Sequence, residues 1–139
     1  GLEVEWDKLL ENKNIWLAMV SSIFLLGSYP LTQVYQHEED QEREDRTISI
    51  LLGIKGTFYF SALSFSIGTI ILAVLFVQNQ STNDLVIFLL AGGPILFYFS
   101  RWFYLVLKNE ENANFEHTMR MNMISSICLS IAFICMLLL

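Results

Sequence analysis

The sequence predicts an all-α fold, a polytopic transmembrane bundle of four helical spans. Three observations carry this. Four apolar runs, 15–35, 57–77, 85–107 and 121–139, each match the roughly 20 residues a spanning helix needs. Only 16% of the residues are charged, against about 25% in soluble domains, and they fall in short islands between the runs. The runs also lack the alternation that a transmembrane β-strand of about 10 residues requires. A helix satisfies its own backbone hydrogen bonds, so it is the default in lipid.

In chain order, residues 1–14 are polar and acidic, with Trp6 and Trp16 placed to mark an interface. The first run, 15–35, has no charge; Gly27 and Ser28 permit close helix approach, and Pro30 removes a backbone donor and invites a kink. An acidic loop, 36–56, follows. The second run carries the small residues Ser61, Ala62, Ser64 and Gly68. The link QNQSTND (78–84) leads to the third run, which holds Ala91, Gly92, Gly93, a kink-prone Pro94 and, towards its end, Arg101. After KNEENANFEHTMR (108–120) comes the fourth run. Its two cysteines, Cys128 and Cys135, lie two helical turns apart in apolar surroundings and are expected to pack as small hydrophobes. The whole is one transmembrane domain. It opens on Gly1, with no signal-peptide pattern before the first run, so a longer parent protein is expected.

Charge gives the runs a direction. Residues 1–14 and 78–84 share one side and hold Lys8 and Lys13. The loops 36–56 and 108–120 share the other and hold Arg43, Arg46, Lys55, Lys108 and Arg120, with Arg101 able to snorkel towards them. Basic residues mark the cytoplasmic side, so the acidic loop is expected there. The net charge is −6 and no basic stripe exists, which leaves no electrostatic footprint for nucleic acid.

The chemistry concentrates in HEEDQERED, which packs six carboxylates between Glu38 and Asp45. If this segment is helical, Gln36, Asp40 and Glu44 share one face, and Glu39 and Arg43 the adjacent one. Carboxylates at one-turn spacing repel one another unless a cation sits among them. Mg²⁺ takes one or two carboxylates and completes its shell with water and phosphate oxygens. Arg43, Arg46 and Lys55 are the candidate phosphate contacts. The competing reading is a solvated charged loop.

The flanks of this cluster carry a resemblance. QVYQHEEDQEREDRTISILLG (33–53) resembles the second aspartate-rich region of UbiA-type polyprenyltransferases. In that family a D-x-x-x-D segment is followed by R-T or S-T and an apolar stretch ending in L-G. Asp40 takes the second acidic position, Thr47 the threonine, and Leu52-Gly53 the ending. NFEHTMRMN (114–122) is similar to a stretch in the family's last loop. The four spans then resemble the last four of the family's nine. Gln36 stands at the first acidic position, so Glu38 or Glu39 is expected to share its role. The family's first motif, N-D-x-x-D-x-x-x-D, does not occur in these residues, and the resemblance places it in a missing N-terminal half.

The resemblance implies Mg²⁺-dependent transfer of a prenyl group from a polyprenyl diphosphate to an aromatic, quinone-precursor-like acceptor. Asp40, Glu39, Glu44 and Gln36 are the implied metal ligands, and Asp40, Glu39, Glu44, Arg43 and Arg46 the catalytic set. Tyr35, Gln36, Lys55, Tyr29, Arg120 and Asn122 are the implied substrate contacts, and Tyr59 and Phe58 lie at a similar depth. His37 and His117 are loop histidines that can ligate, move a proton or simply face water. The implied setting is the lipid bilayer of a bacterial inner or cell membrane. Two rivals stand beside this reading. One is a non-catalytic multispan adaptor or assembly subunit. The other is a transporter fragment, disfavoured because transporter sites lie near the bilayer midplane and these carboxylates lie at its edge.

The charge asymmetry makes a direct prediction about orientation. Cysteines introduced singly at positions 42 and 111 of the full-length protein are expected to resist an impermeant thiol reagent in intact cells, and one at position 80 to react. The opposite labelling pattern would reverse the topology.

Overall fold

The computed structural model describes residues 12–44 and 46–138, except the side chains of Lys13, Glu38 and Gln41. Trp6, Lys8 and Asp45 therefore lie outside the described residues. Helix α1 spans Asn12–Ser28 and is followed by two 3₁₀ turns, Pro30–Thr32 and Val34–Gln36. Helix α2 is short, His37–Glu42; α3 runs Ile48–Gln78 and α4 Thr82–Lys108. A 3₁₀ turn at Glu110–Asn112 leads to α5, Phe115–Leu138. The described residues contain no β-strand. Four stretches, Asn14–Gln36, Ile48–Gln78, Thr82–Lys108 and Phe115–Leu138, are long and apolar enough to cross a membrane.

The first span is not one kinked helix to residue 35. Pro30 has no N–H to donate into α1, and its fixed φ suits the first position of the 3₁₀ turn that replaces it. Thr32 Oγ1 donates to the Tyr29 carbonyl at 2.7 Å, and Gln33 N–H to the Pro30 carbonyl at 3.1 Å. Pro94 behaves differently: α4 continues through it, and its ring lies on the exposed side.

The second span starts earlier than its apolar run, at Ile48. Thr47 is extended and its Oγ1 accepts from Ile50 N–H at 3.2 Å, an N-cap that satisfies one of the free donors of the first turn. The helix is then broken at Gly53, with φ 70° and ψ 169°, a conformation reserved almost wholly for glycine. It resumes at once. The segment 48–56 is thus helical around this break, not loop. At the far end of the chain, Asn114 caps α5, its Oδ1 accepting from His117 N–H at 3.1 Å.

Helix α1 packs on α3 and α4 on α5, and the two pairs join through α3 and α4. Small residues set the α1–α3 approach. A Cβ on Gly27 would stand 2.8 Å from Ser64 Cβ, and one on Gly68 would stand 3.2 Å from the Phe24 ring. Gly92 and Gly93 are different, since nothing lies within 4 Å of a Cβ there. The core gathers at one end of the bundle. Phe58, Trp102, Val106 and Val34 are its fully buried members, with Leu31, Phe99, Ala113 and Met121 around them. Phe58 meets the Trp102 ring edge-on at 4.7 Å, and Trp102 Nε1–H donates to the Asn112 carbonyl at 2.7 Å. Only 11–22% of each apolar span is buried in the protein, so most of its surface is left for lipid or other helices.

This packing ranks the glycines. Gly68→Leu and Gly27→Leu are expected to cost about 1–3 kcal/mol by overpacking the α1–α3 contact. Gly53→Ala is expected to cost about 1–3 kcal/mol through backbone strain alone. Gly93→Leu is expected to change stability little. Thermal unfolding of the full-length protein in nanodiscs reads all four; an equal loss at Gly93 and Gly68 would contradict the described α1–α3 packing.

Candidate functional site

The Gly53 break builds a polar knot at the head of α3. Thr57 Oγ1 donates to the Gly53 carbonyl at 2.9 Å and lies 3.3 Å from Ser49 Oγ, reaching across the break. Ser49 and Thr57 have no exposed surface. His37, at the start of α2, places Nε2 2.5 Å from Ser49 Oγ. With Thr57 donating to Gly53, Ser49 is free to donate to a neutral imidazole. Burial pushes the His37 pKa below the ordinary histidine value; the charges of Asp40 and Glu110 and a hydrogen bond to the Ser49 backbone oppose this and do not overcome it. Sequence reading missed Ser49 and Thr57. Their signal was two hydroxyls flanking a glycine inside an otherwise apolar run.

The knot orients the acidic segment. Asp40 lies one turn beyond His37 and is half-buried; its Oδ2 has no accessible surface and no hydrogen-bond partner. Glu39 points the other way, exposed and ion-paired with Arg43 one turn on. The expected single face of Gln36, Asp40 and Glu44 is not formed. Gln36 belongs to a 3₁₀ turn, where it donates from Nε2 to the Tyr35 hydroxyl at 3.2 Å. Glu44 lies past the end of α2 with a left-handed φ of 58°, and its side chain is exposed. Arg46 is exposed too.

The remaining expected contacts divide in the same way. Lys55 pairs with Glu110 at 3.3 Å, tying the head of α3 to the last loop. Tyr35 packs edge-on against Phe115 at 5.3 Å, which brings α5 to the same end. Arg120 is ion-paired with Glu116 on its own helix, and Asn122 is exposed. Tyr29 and Tyr59 face outward, and Phe58 is sealed in the core. His117 is not a solvated loop residue. Its Nδ1 lies 2.9 Å from the Tyr98 hydroxyl and its ring stacks on Trp102. Gln33 joins Asp40 in having a buried, unpartnered oxygen, Oε1.

Among the described residues no three His, Cys, Asp or Glu side chains converge on a metal position. Mg²⁺ asks less of a protein, because one or two carboxylates suffice when phosphates and water complete the shell. Asp40 fits that partial role, as its orphaned oxygen lacks any other partner. Glu39 fits it less well, being engaged by Arg43. Cavity volume does not mark this end. A cleft of about 200 Å³ lies at the opposite end, between Leu17, Leu75, Phe76 and Asp84. No family model, curated protein or solved structure matches the chain.

The His37 environment predicts a pH dependence. Above about pH 6.5, the ordinary histidine value, the imidazole is neutral in both folded and unfolded chains. As pH falls through that value the unfolded chain takes up the proton first, so stability is lost until the folded imidazole is protonated as well. The melting temperature of the full-length protein is expected to drop between pH 7.5 and 5.5, and His37→Gln to flatten that drop. An undiminished drop in the variant would assign the effect to other groups.

Proposed function

We propose that these residues supply the second acidic half of a prenyltransferase site. The reaction is Mg²⁺-dependent transfer of a polyprenyl group from its diphosphate to an aromatic acceptor. In this reading, helices that precede these residues in a longer protein bring the first acidic half, and the acidic end faces the cytoplasm of a bacterial cell. The observation that carries it is the orientation of Asp40. A merely solvated loop has no reason to turn one carboxylate oxygen inward, without a hydrogen bond among the described residues, while its neighbour Glu39 is paired at the surface.

Asp40 would hold the ion, with water and diphosphate oxygens completing its shell. Bound Mg²⁺ supplies charge neutralisation of the departing diphosphate. The protein's own residues do the rest. Lys55, Arg43 and Arg120 each exchange a carboxylate partner for phosphate oxygens, the arginines by their bidentate fork. Arg46 and Asn122, both exposed, add donors at the same end. Tyr35 offers an aromatic face beside Gln36, and Tyr29 one at the edge of the spans. The ion pair of Lys55 with Glu110 and the packing of Tyr35 on Phe115 hold these donors at a common end. The adaptor reading keeps one observation in its favour. Three of the cations already have carboxylate partners and so need no phosphate.

The test is Mg²⁺-dependent diphosphate release from a prenyl diphosphate by the full-length protein in membranes, across a panel of aromatic acceptors. Asp40→Asn is expected to lower acceptor-dependent release by about 10²-fold or more, the usual scale for losing a group that stabilises developing charge. Residues 1–139 alone are expected to transfer nothing. Undiminished release in the folded variant, or transfer by the isolated stretch, would sink the proposal.

A further inference from the structure

The basic side chains fall into two groups. Arg43, Lys55 and Arg120 each have a carboxylate partner in the structure. Arg46, in the acidic segment, and Arg101 and Lys108 have no ion-pair partner among the described residues. Arg101 and Lys108 both lie on α4, and both are exposed. With Tyr104 they stand at i, i+3 and i+7, a single stripe on one helix face. Lys108 leans back along that stripe, its Nζ 4.5 Å above the centroid of the Tyr104 ring. The Tyr104 hydroxyl remains a donor, and the residue is exposed.

The same face continues down the helix through Phe97, Leu90 and Val86, all exposed and apolar. In a span this long and apolar, a face this exposed is suited to acyl chains. Seven residues of helix separate Arg101 from Lys108, a rise of about 10 Å. The stripe therefore covers the depth from the upper acyl region to the headgroups. A guanidinium at that depth is costly unless it snorkels to the headgroup level, where a lipid phosphate can meet it. The acid of α4's own sequence, Asp84, lies in its first turn, at the other end of the helix.

We propose that Arg101, Tyr104 and Lys108 form a docking site for the phosphate of an acidic phospholipid. The guanidinium fork matches two phosphate oxygens, the ammonium adds a second positive charge, and the phenol adds a neutral donor. Two cations without a carboxylate partner favour a headgroup with net negative charge over a zwitterionic one, whose own ammonium competes for the phosphate. The apolar continuation of the stripe accepts the acyl chains, which a soluble anion would leave uncovered. This rests on α4 crossing the bilayer and not on prenyl transfer.

The experiment is native mass spectrometry of the full-length protein, delipidated in detergent and titrated with phosphatidylglycerol, phosphatidylcholine or inorganic phosphate. Wild type is expected to retain phosphatidylglycerol in preference to phosphatidylcholine, and excess inorganic phosphate not to displace it. Each basic side chain near an anionic surface contributes about five-fold, so Arg101→Gln with Lys108→Gln is expected to lose retention on the order of ten-fold or more. Lys108→Gln alone, at an exposed helix end, is expected to lose about five-fold and covers the case where the double variant fails to fold. Arg101→Lys keeps the charge but not the fork and is expected to lose retention, though less than Arg101→Gln. Lys13→Gln, on the opposite side of the spans, is expected to stay close to wild type. Equal retention of the two lipids, or unchanged retention in folded Lys108→Gln and in the folded double variant, would overturn the proposal. So would displacement by inorganic phosphate, which would mark a soluble-anion site, or an equal loss in Lys13→Gln, which would mark general charge attraction.

Discussion

The glycine break at the head of α3 is the constraint on which the acidic end depends. Without the φ of 70° at Gly53, residues 49 and 57 would be eight apart on an ordinary helix, too far for a direct hydroxyl contact. With it, Thr57 reaches both Gly53 and Ser49, and Ser49 in turn meets His37. That contact fixes the start of α2, and α2 is only six residues long. Too short to hold itself as an isolated helix, it takes its direction from what anchors its ends. Asp40 faces inward as a consequence, and Glu39 outward. A backbone strain at one residue therefore sets the direction of a carboxylate thirteen positions earlier, through hydroxyls that are fully buried and otherwise without purpose in an apolar helix.

The spans were legible because lipid leaves so few alternatives. Long apolar runs with charges between them admit only helices, and four such helices are present. Their ends were less legible. Residues 48–56 contain Gly53, Lys55 and Gly56 and so resemble a loop by composition, yet Thr47 supplies an N-cap and α3 begins directly after it. Pro30 was visible as a break but not as an exchange of α-helix for 3₁₀ turns, which depends on side-chain hydroxyls and carbonyls finding partners locally.

The candidate site was legible in part, and the division follows range. Glu39 and Arg43, expected to share a helix face, do so and are ion-paired there, a contact that needs only helix geometry. Gln36, Asp40 and Glu44 have the same spacing but span three backbone conformations, so spacing misled. The roles of His37 and His117 needed partners 12 and 19 residues away, Ser49 and Tyr98, and no local pattern announces such contacts. The charge pattern was also only half visible. Sequence counts five or six cations on one side, but only the fold distinguishes those held by carboxylates from Arg46 and from Arg101 and Lys108 on the outer face of α4.

The central proposal is that His37–Glu42 is an ordered helix whose Asp40 faces inward, where a metal and a diphosphate would engage it, and not a solvated loop. Hydrogen exchange of the full-length protein in nanodiscs, followed on peptides covering 36–57, tests it most directly. The account predicts slow exchange in the unliganded protein. It predicts further slowing when Mg²⁺ and a non-cleavable prenyl thiodiphosphate are added together, and no such slowing in Asp40→Asn. Exchange of residues 37–46 at the rate of an unstructured peptide, unchanged by either addition, would contradict it.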